Sequence, residues 1–309
     1  MGVSTSEVGL IGVGLLGIAL AERMSARSIR IDGFDPSAHR LEVLHELGGR
    51  PCSSAASVAA SCAIIVLCLP DSSVVAAVVD EIRGAIGPGT LLIDATTGDP
   101  DDTLALAERL RKQGVGYVDA TIAGSSEQVR RGEAVVLIGG EAADVERAEP
   151  VLATWADRRF HLGPSGAGAR MKLVVNLVLG LNRAVLAEGL ALAEAAGIPA
   201  AAALTVLQAT PAYSRIMDSK GPKMAARDFA PQARLAQHLK DVRLIQALAQ
   251  RHDASTPLSD IHEQLLAEAV AMGLGDADNS AVFGVYSARA ARSSNAAGAS
   301  SIGKSPPPA

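Results

Sequence analysis

The chain predicts an α/β domain built on a doubly wound parallel sheet, followed by an all-α domain, the two joined by a long helix. Three observations carry this. From Glu7 to about Gly163, short apolar runs alternate with segments of helical spacing, the pattern of parallel strands separated by crossover helices. After Gly163-Pro164-Ser165-Gly166 the strand signals vanish, and a helical pattern runs from Ala167 to Ala196 without a proline. The composition is 49% hydrophobic but only 3% aromatic, with Ala, Val, Leu and Gly carrying the apolar content, which suits helices packed on a sheet. The 309 residues therefore divide into a sheet domain at 1–163, a helical domain at 164–291 and an Ala/Ser/Gly-rich tail at 292–309. The tail has no apolar periodicity and reads as disordered.

The elements follow in order. Glu7 to Val13 is a short apolar run ending in glycines, a buried strand. Leu15 to Ala26 has helical spacing. Arg30 to Phe34 is a second strand, stopped by the turn signal Asp35-Pro36. His39 to Leu47 is helical and Gly48-Gly49 ends it. Ala63 to Leu69 is a strand, Asp71 to Ile86 a helix, Leu91 to Asp94 a strand and Thr103 to Gln113 a helix. Val115 to Asp119 and Val135 to Gly139 are further strands. Beyond the long helix, which Gly197 and Pro199 end, come helical segments at Ala200 to Ala209, Tyr213 to Ala225, Ala233 to Arg251 and Leu258 to Met272.

Charge and cysteine usage narrow the function classes. Net charge is −5 and no Lys/Arg block appears, so no basic face is offered to nucleic acid. Cys52, Cys62 and Cys68 are odd in number and form no CxxC, which speaks against a disulfide framework or a zinc site. Three reduced thiols fit the cytoplasm. Gly9 to Ala21 resembles a signal-peptide core, but Glu7 precedes it without Lys or Arg and no cleavage site follows. Leu173 to Leu181 is too short to span a bilayer, so no membrane is expected. The six histidines, His238 and His262 among them, show no metal-ligand spacing and read as structural or exposed.

Gly12-Val13-Gly14-Leu15-Leu16-Gly17 is a GxGxxG that follows a strand and opens a helix. Asp35 ends the next strand about 20 residues on, as the dinucleotide-binding (Rossmann) fingerprint requires. Gly12 permits the tight turn, Gly14 lets a pyrophosphate approach the backbone, and Gly17 lets helix and strand pack closely. Free N–H groups and the helix dipole hold the phosphates. A carboxylate at Asp35 favours NAD by hydrogen-bonding ribose and repelling a 2′-phosphate, while nearby Arg40 leaves NADP open.

Met171 to Leu179 is apolar nearly all round, yet it carries Lys172 and Asn176, four residues apart and so on one face. Gly180 leaves room one turn further. A buried lysine must pair, neutralise or do chemistry, and desolvation shifts it toward proton transfer near neutral pH.

Four blocks in order across 7–291 resemble the β-hydroxyacid dehydrogenase family, which includes 3-hydroxyisobutyrate dehydrogenase and tartronate semialdehyde reductase. They are Gly9 to Gly17; Asp119 to Ser125, in the place of the substrate loop written DAPVSGG; Gly163-x-x-Gly166-x-Gly168-x-x-x-Lys172-x-x-x-Asn176, similar to GxGxxxKxxNN; and Lys240-Asp241. Gly273-Leu-Gly-Asp276-x-Asp278-x-Ser280 resembles the family's C-terminal end. The resemblance implies an NAD(P)-dependent oxidoreductase acting on a small carboxylate substrate. Lys172 would be the acid/base and Asn176 would hold the hydroxyl. Ala123, Gly124 and Ser125 would bind the substrate carboxylate, largely through backbone N–H groups. Lys240 would lie near nicotinamide and substrate, and Pro70 and Thr96 would line the cofactor.

The sequence departs from that pattern at Thr121, Ala123, Ser125 and Val175, where the family carries Pro, Ser, Gly and Asn. The hydroxyl lost at Ala123 removes one carboxylate contact, for which Thr121, Ser125 and Ser126 are the candidate replacements. The run Ser125-Ser126-Glu127-Gln128 with Arg130 is placed to read a different acid. An imine reductase or a non-catalytic nucleotide-binding protein on the same fold is the alternative, and Lys172 argues against both. The apolar helical half predicts a homodimer or homotetramer built through 167–291.

Overall fold

A computed structural model describes residues 6–289, so the tail expected to be disordered lies outside the described residues. The chain divides into two compact units, Met1–Val175 and Asn176–Ala309.

The first unit carries β1 (Glu7–Ile11), α1 (Leu15–Ser25), β2 (Arg30–Phe34), α2 (Ala38–Glu46), β3 (Arg50–Pro51), α3 (Ala55–Ser61), β4 (Ile64–Leu67) and α4 (Ser72–Ile82). It continues with β5 (Leu91–Asp94), α5 (Pro100–Arg111), β6 (Gly116–Ala123), α6 (Ser126–Arg130), β7 (Val135–Gly140), α7 (Ala142–Trp155) and β8 (Arg158–His161). The strands form one sheet in the order β3-β2-β1-β4-β5-β6-β7-β8. Successive side chains of a strand point to opposite faces. Val8 and Leu10 of β1, Ile64 and Val66 of β4 and Leu91 and Ile93 of β5 accordingly join a core with α1 and α7. Ile11, Ile65, Leu67 and Leu92 join a second core with α3, α4 and α5. That two-sided burial explains why these strands are continuous apolar runs.

The sheet is parallel-dominated rather than wholly parallel, because β6 and β7 pair antiparallel. A parallel return needs a crossover of about a dozen residues or more, and residues 124–134 hold only the one-turn α6. The sequence pattern also does not show β3, α3, α6, α7 and β8. The last is a polar edge strand, Arg158-Arg159-Phe160-His161, with no apolar alternation to betray it.

α8 (Ala167–Ala195) starts in the first unit and continues into the second, where α9 (Ala200–Gln208), α10 (Ile216–Ala226), α11 (Leu235–Arg251), α12 (Pro257–Ala271) and a short 3₁₀ turn (Asn279–Val282) follow. A third core gathers Leu186 and Leu190 of α8, Met217 and Met224 of α10, Leu235 and Leu239 of α11, Leu265 and Leu266 of α12, and Phe283. By length and composition the whole of α8 is apolar enough to cross a membrane, although Leu173 to Leu181 alone is not. Part of that apolarity is spent inside the fold, since Leu173, Leu186 and Leu190 are fully buried.

Beneath that core lies a buried ion pair. Lys220 Nζ donates to both oxygens of Asp278, at 2.9 and 2.8 Å. Burial alone would push the Asp278 carboxyl up, but Lys220 and Ser280 together hold it down to about 2. This places the Asp278-x-Ser280 block in the framework of the helical half.

Candidate active site

The parallel strands β1, β2, β4 and β5 end in register at one sheet edge, where Ile11 pairs with Phe34 and with Leu67, and Leu67 with Asp94. Gly12, Asp35, Pro70 and Thr96 follow those ends, Ala123 is the last residue of the longer β6, and Gly124 and Ser125 follow it. Ligands of open α/β sheets bind at such carboxyl ends.

The three motif glycines have different reasons. Gly12 takes φ +97°, and a Cβ there would stand 2.2 Å from the Cys68 carbonyl oxygen. A Cβ on Gly17 would stand 2.1 Å from the Gly12 oxygen. Those two glycines are demanded by packing. Gly14 is not: its Cβ would meet only Arg40 Nη1, at 3.8 Å. Gly14 is also the N-cap of α1 and supplies no capping side chain, and the first turn of α1 holds no acid. The first-turn N–H groups of an eleven-residue helix therefore face an open cradle, the arrangement that takes a pyrophosphate. Leu15 is exposed and Leu16 half-buried beside it.

Thr96 is buried, and its hydroxyl accepts the Leu69 N–H at 3.1 Å, fixing the turn before Pro70. Its own N–H donates to Asp94 Oδ1 at 2.8 Å, and Tyr117 donates to Asp94 Oδ2 at 2.7 Å. Burial pushes the Asp94 carboxyl up to about 6, against the hydrogen bonds from Thr96 and Tyr117 that lower it.

Asp119, on β6, holds the turn that opens α8. Its two oxygens accept the N–H groups of Gly166 and Ala169, at 2.7 and 2.8 Å. Burial nevertheless raises its carboxyl above the usual range. Gly168 packs so tightly there that a Cβ would stand 2.5 Å from the Leu137 oxygen. The GxG before the lysine is thus a docking device for the helix start.

On α8, Lys172 is buried at 9% exposure, and Asn176, one turn on, at 6%. Asn176 Nδ2 donates to Asp241 Oδ2 at 3.0 Å, and Lys240 Nζ pairs with Asp241 Oδ1 at 3.3 Å. The structure thus brings Asn176 and Lys240 onto one carboxylate, a link that the sequence quoted as a motif without giving it a task.

Two expectations for the β6 loop, those for Thr121 and Arg130, are corrected, and Ser125 has a partner within the loop. The Thr121 hydroxyl donates to the Gly168 and Leu137 carbonyls, at 3.2 and 3.4 Å, inside the fold. Arg130 is held by Glu22 of α1, at 2.6 and 3.2 Å, and so is already paired. The Ser125 hydroxyl accepts the Gln128 N–H at 3.2 Å while Gln128 Oε1 accepts the Ser125 N–H at 2.9 Å, a reciprocal capping box. Gln128, expected from the sequence to help read an acid, instead occupies a backbone donor that the resemblance assigns to the substrate. The signal was present as Ser-x-x-Gln. The room at Gly180 is filled as well, since a Cβ there would stand 2.6 Å from His238 Nε2 and 2.7 Å from His262 Cε1. Both histidines are buried, their rings 5.1 Å apart.

With this geometry in place, comparison with known proteins is decisive. The family model for the NAD binding domain of 6-phosphogluconate dehydrogenase matches residues 7–163, and the one for the NAD-binding of NADP-dependent 3-hydroxyisobutyrate dehydrogenase matches 166–286. The chain belongs to the β-hydroxyacid dehydrogenase family. Among its family relatives, glyoxylate/succinic semialdehyde reductase 1 of Arabidopsis thaliana is 29% identical, over 90% of this chain and 97% of its own. The 2-(hydroxymethyl)glutarate dehydrogenase of Eubacterium barkeri is 28% identical, over 91% and 94%. A crystal structure of 3-hydroxyisobutyrate dehydrogenase from Salmonella typhimurium shares the fold with a TM-score of 0.85, covering 90% of this chain and 99% of its own at 24% identity. As a member of this family, the chain is an NAD(P)-binding oxidoreductase.

Proposed function

We propose that this chain transfers hydride between NAD or NADP and a small β-hydroxy acid, oxidising the acid or reducing the matching aldehyde acid, with Lys172 as the general acid/base. The observation that carries the reading is a lysine only 9% exposed on α8, one turn before an Asn whose amide is fixed by Asp241. Bound nicotinamide supplies the hydride acceptor or donor. Gly12, Gly14, Leu15, Leu16 and Gly17, with Asp35, Pro70 and Thr96, hold the dinucleotide. In the oxidation direction the Lys172 amine takes the hydroxyl proton as the carbon gives up its hydride, and in reduction it returns that proton. Asn176 holds the hydroxyl, with Asp241 setting which way its amide points. Lys240 would serve nicotinamide and substrate, as the family resemblance implies. Ala123, Gly124 and Ser125 bind the substrate carboxylate, with Gln128 as an internal competitor for the Ser125 N–H. Three free thiols support a cytoplasmic location.

Absorbance at 340 nm tests this, crossing NAD and NADP with glyoxylate, succinic semialdehyde, 2-(hydroxymethyl)glutarate and related 3-hydroxy and sugar acids. Lys172→Ala is expected to lower turnover about 10²-fold or more while leaving cofactor affinity nearly unchanged. Undiminished turnover in that variant would remove Lys172 from the chemistry. Silence across the panel with cofactor still bound would favour the imine-reducing or non-catalytic alternative.

The reading includes a second copy of the chain. Met171, Val178, Val185 and Leu192 recur every seven residues along α8 and are all exposed, Leu192 at 70%. A seven-residue apolar stripe is what a helix presents to another helix. Light scattering should give a dimer or tetramer at micromolar concentration; a monomer rejects it.

A further inference from the structure

Arg183 lies on α8 seven residues beyond Asn176, two turns on and on the same face, and it is only 3% exposed. Its Nε and Nη1 have no hydrogen-bond partner among the described residues. A guanidinium with orphaned donors costs far more to bury than an apolar side chain, so packing does not account for it. Helical side chains lean toward the N-terminus of their helix, which turns this guanidinium back toward Asn176. Gly180 stands between the two, and α11 closes on α8 there, with His238 Nε2 2.6 Å from where a Gly180 Cβ would be. Asp241, three residues further along α11, accepts Asn176 Nδ2.

The charged and titratable groups around Arg183 come from every element packed on this stretch of α8. They are His238 and Asp241 of α11, His262 of α12, Lys220 of α10, and Asp278 before the 3₁₀ turn. Burial pulls the Arg183 guanidinium down to about 10, while Asp278 and Asp241 pull it back up, so it is a cation at neutral pH. Burial and Arg183 push His262 down to about 4, so that ring adds no charge there. Asp278 does not need Arg183. Lys220, the Ser280 hydroxyl and the N–H groups of Gln232, Ala233 and Ser280 all donate to it. Asp241 is only 8% exposed, and the cation of α11 beside it, Lys240, has a side chain 25% exposed and 3.3 Å away. Coulombic attraction is reciprocal: a carboxylate that favours the charged guanidinium is itself favoured as an anion. Only the anion offers both oxygens as acceptors, one to Asn176 and one to Lys240.

We propose that Arg183 is a positioning residue: from the interior of the helical unit its charge keeps Asp241 an anion, and through Asp241 it sets the amide of Asn176 and steadies Lys240. This rests on the hydride-transfer reading above and deepens it.

The pH profile of kcat/KM in the reduction direction tests it, with the aldehyde acid that the absorbance panel identifies. In that direction Lys172 must bring a proton, so its titration closes the alkaline side and leaves the acid limb to Asp241. Arg183→Met fills the space without the charge. It should move the acid limb up by about one pH unit, a tenfold loss on that limb that recovers at higher pH. Arg183→Lys should return the limb most of the way. With Asp241→Asn in place, Arg183→Met should shift nothing further. NADH affinity should stay within about twofold, and stability to urea should hold or rise. Turnover by the wild type with a limb that Arg183→Met does not move, or moves equally in the Asp241→Asn background, overturns the assignment and leaves the hydride-transfer reading standing. A stability loss that tracks the activity loss at every pH makes Arg183 a packing residue and overturns it too. A wild type silent across the panel overturns both readings. Should Arg183→Met not fold, Arg183→Gln carries the same comparison.

Discussion

Two strand-to-helix turns at the same sheet edge have opposite designs. The turn after β1 leaves the first-turn N–H groups of α1 without a capping side chain, because Gly14 offers none and the space over it is open. The turn after β6 closes on itself, with Ser125 and Gln128 capping each other. Both carry glycine directly after the strand, Gly12 after β1 and Gly124 after β6, and both read as binding loops from sequence. The difference lies in who satisfies the helix N–H groups. Unclaimed donors form a preorganised anion cradle, whereas claimed donors must be released before a ligand can use them.

The largest expected effect breaks the open turn. Gly17→Ala places a methyl against the Gly12 carbonyl and should cost about 3 kcal/mol or more of stability, read by urea unfolding. Gly14→Ala should change stability by less than about 1 kcal/mol yet weaken NADH binding at least about tenfold, because its methyl fills the cradle and touches little else. Equal loss of stability in the two variants would show that both glycines serve packing.

A middle-sized effect concerns Asp94, at the end of β5, which holds Thr96 of the turn that follows it and Tyr117 of β6. Its folded carboxyl, near 6, lies above its ordinary value of 3.8, so between these pH values the folded chain keeps a proton that the unfolded chain has lost. The stability it contributes is complete below about pH 4 and fades as pH rises through about 6. Wild-type stability minus that of Asp94→Asn should therefore drop by about 2 kcal/mol across that window. A difference that stays level across it would mean Asp94 titrates normally.

The smallest effect sharpens the closed turn. Gln128→Ala gives up half of the capping box, about 0.5–1 kcal/mol, and frees the Ser125 N–H. KM for the acid substrate should then fall severalfold with kcat nearly constant. A rise in KM would make Gln128 a substrate contact instead.

Much of this could be read from the chain. The glycine turn, Asp35 and the long helix declare themselves through local spacing, because a dinucleotide turn and an amphipathic period are short-range patterns. The reversal at β7 followed from the short connection 124–134, but the apolar run Val135 to Gly139 alone carries no direction. β8 was silent because Arg158 and Arg159 hide an edge strand. The partners of Arg130 and Thr121 lie 108 and 47 residues away in sequence, beyond any window of periodicity. For Asn176 the type and burial were legible, but the carboxylate that orients it comes from α11.

α8 carries two interior glycines whose fates under helix-propensity engineering should diverge. Replacing a helical glycine with alanine ordinarily gains about 0.5–1 kcal/mol. At Gly180 that gain is forfeited, because the methyl would strike both His238 and His262. At Gly189 no atom of the described residues outside its own helical turn stands within 4 Å of the added carbon. A thermal upshift in Gly189→Ala would show that this stretch of helix meets only solvent. A downshift that grows with protein concentration would make one methyl group a probe for the second copy.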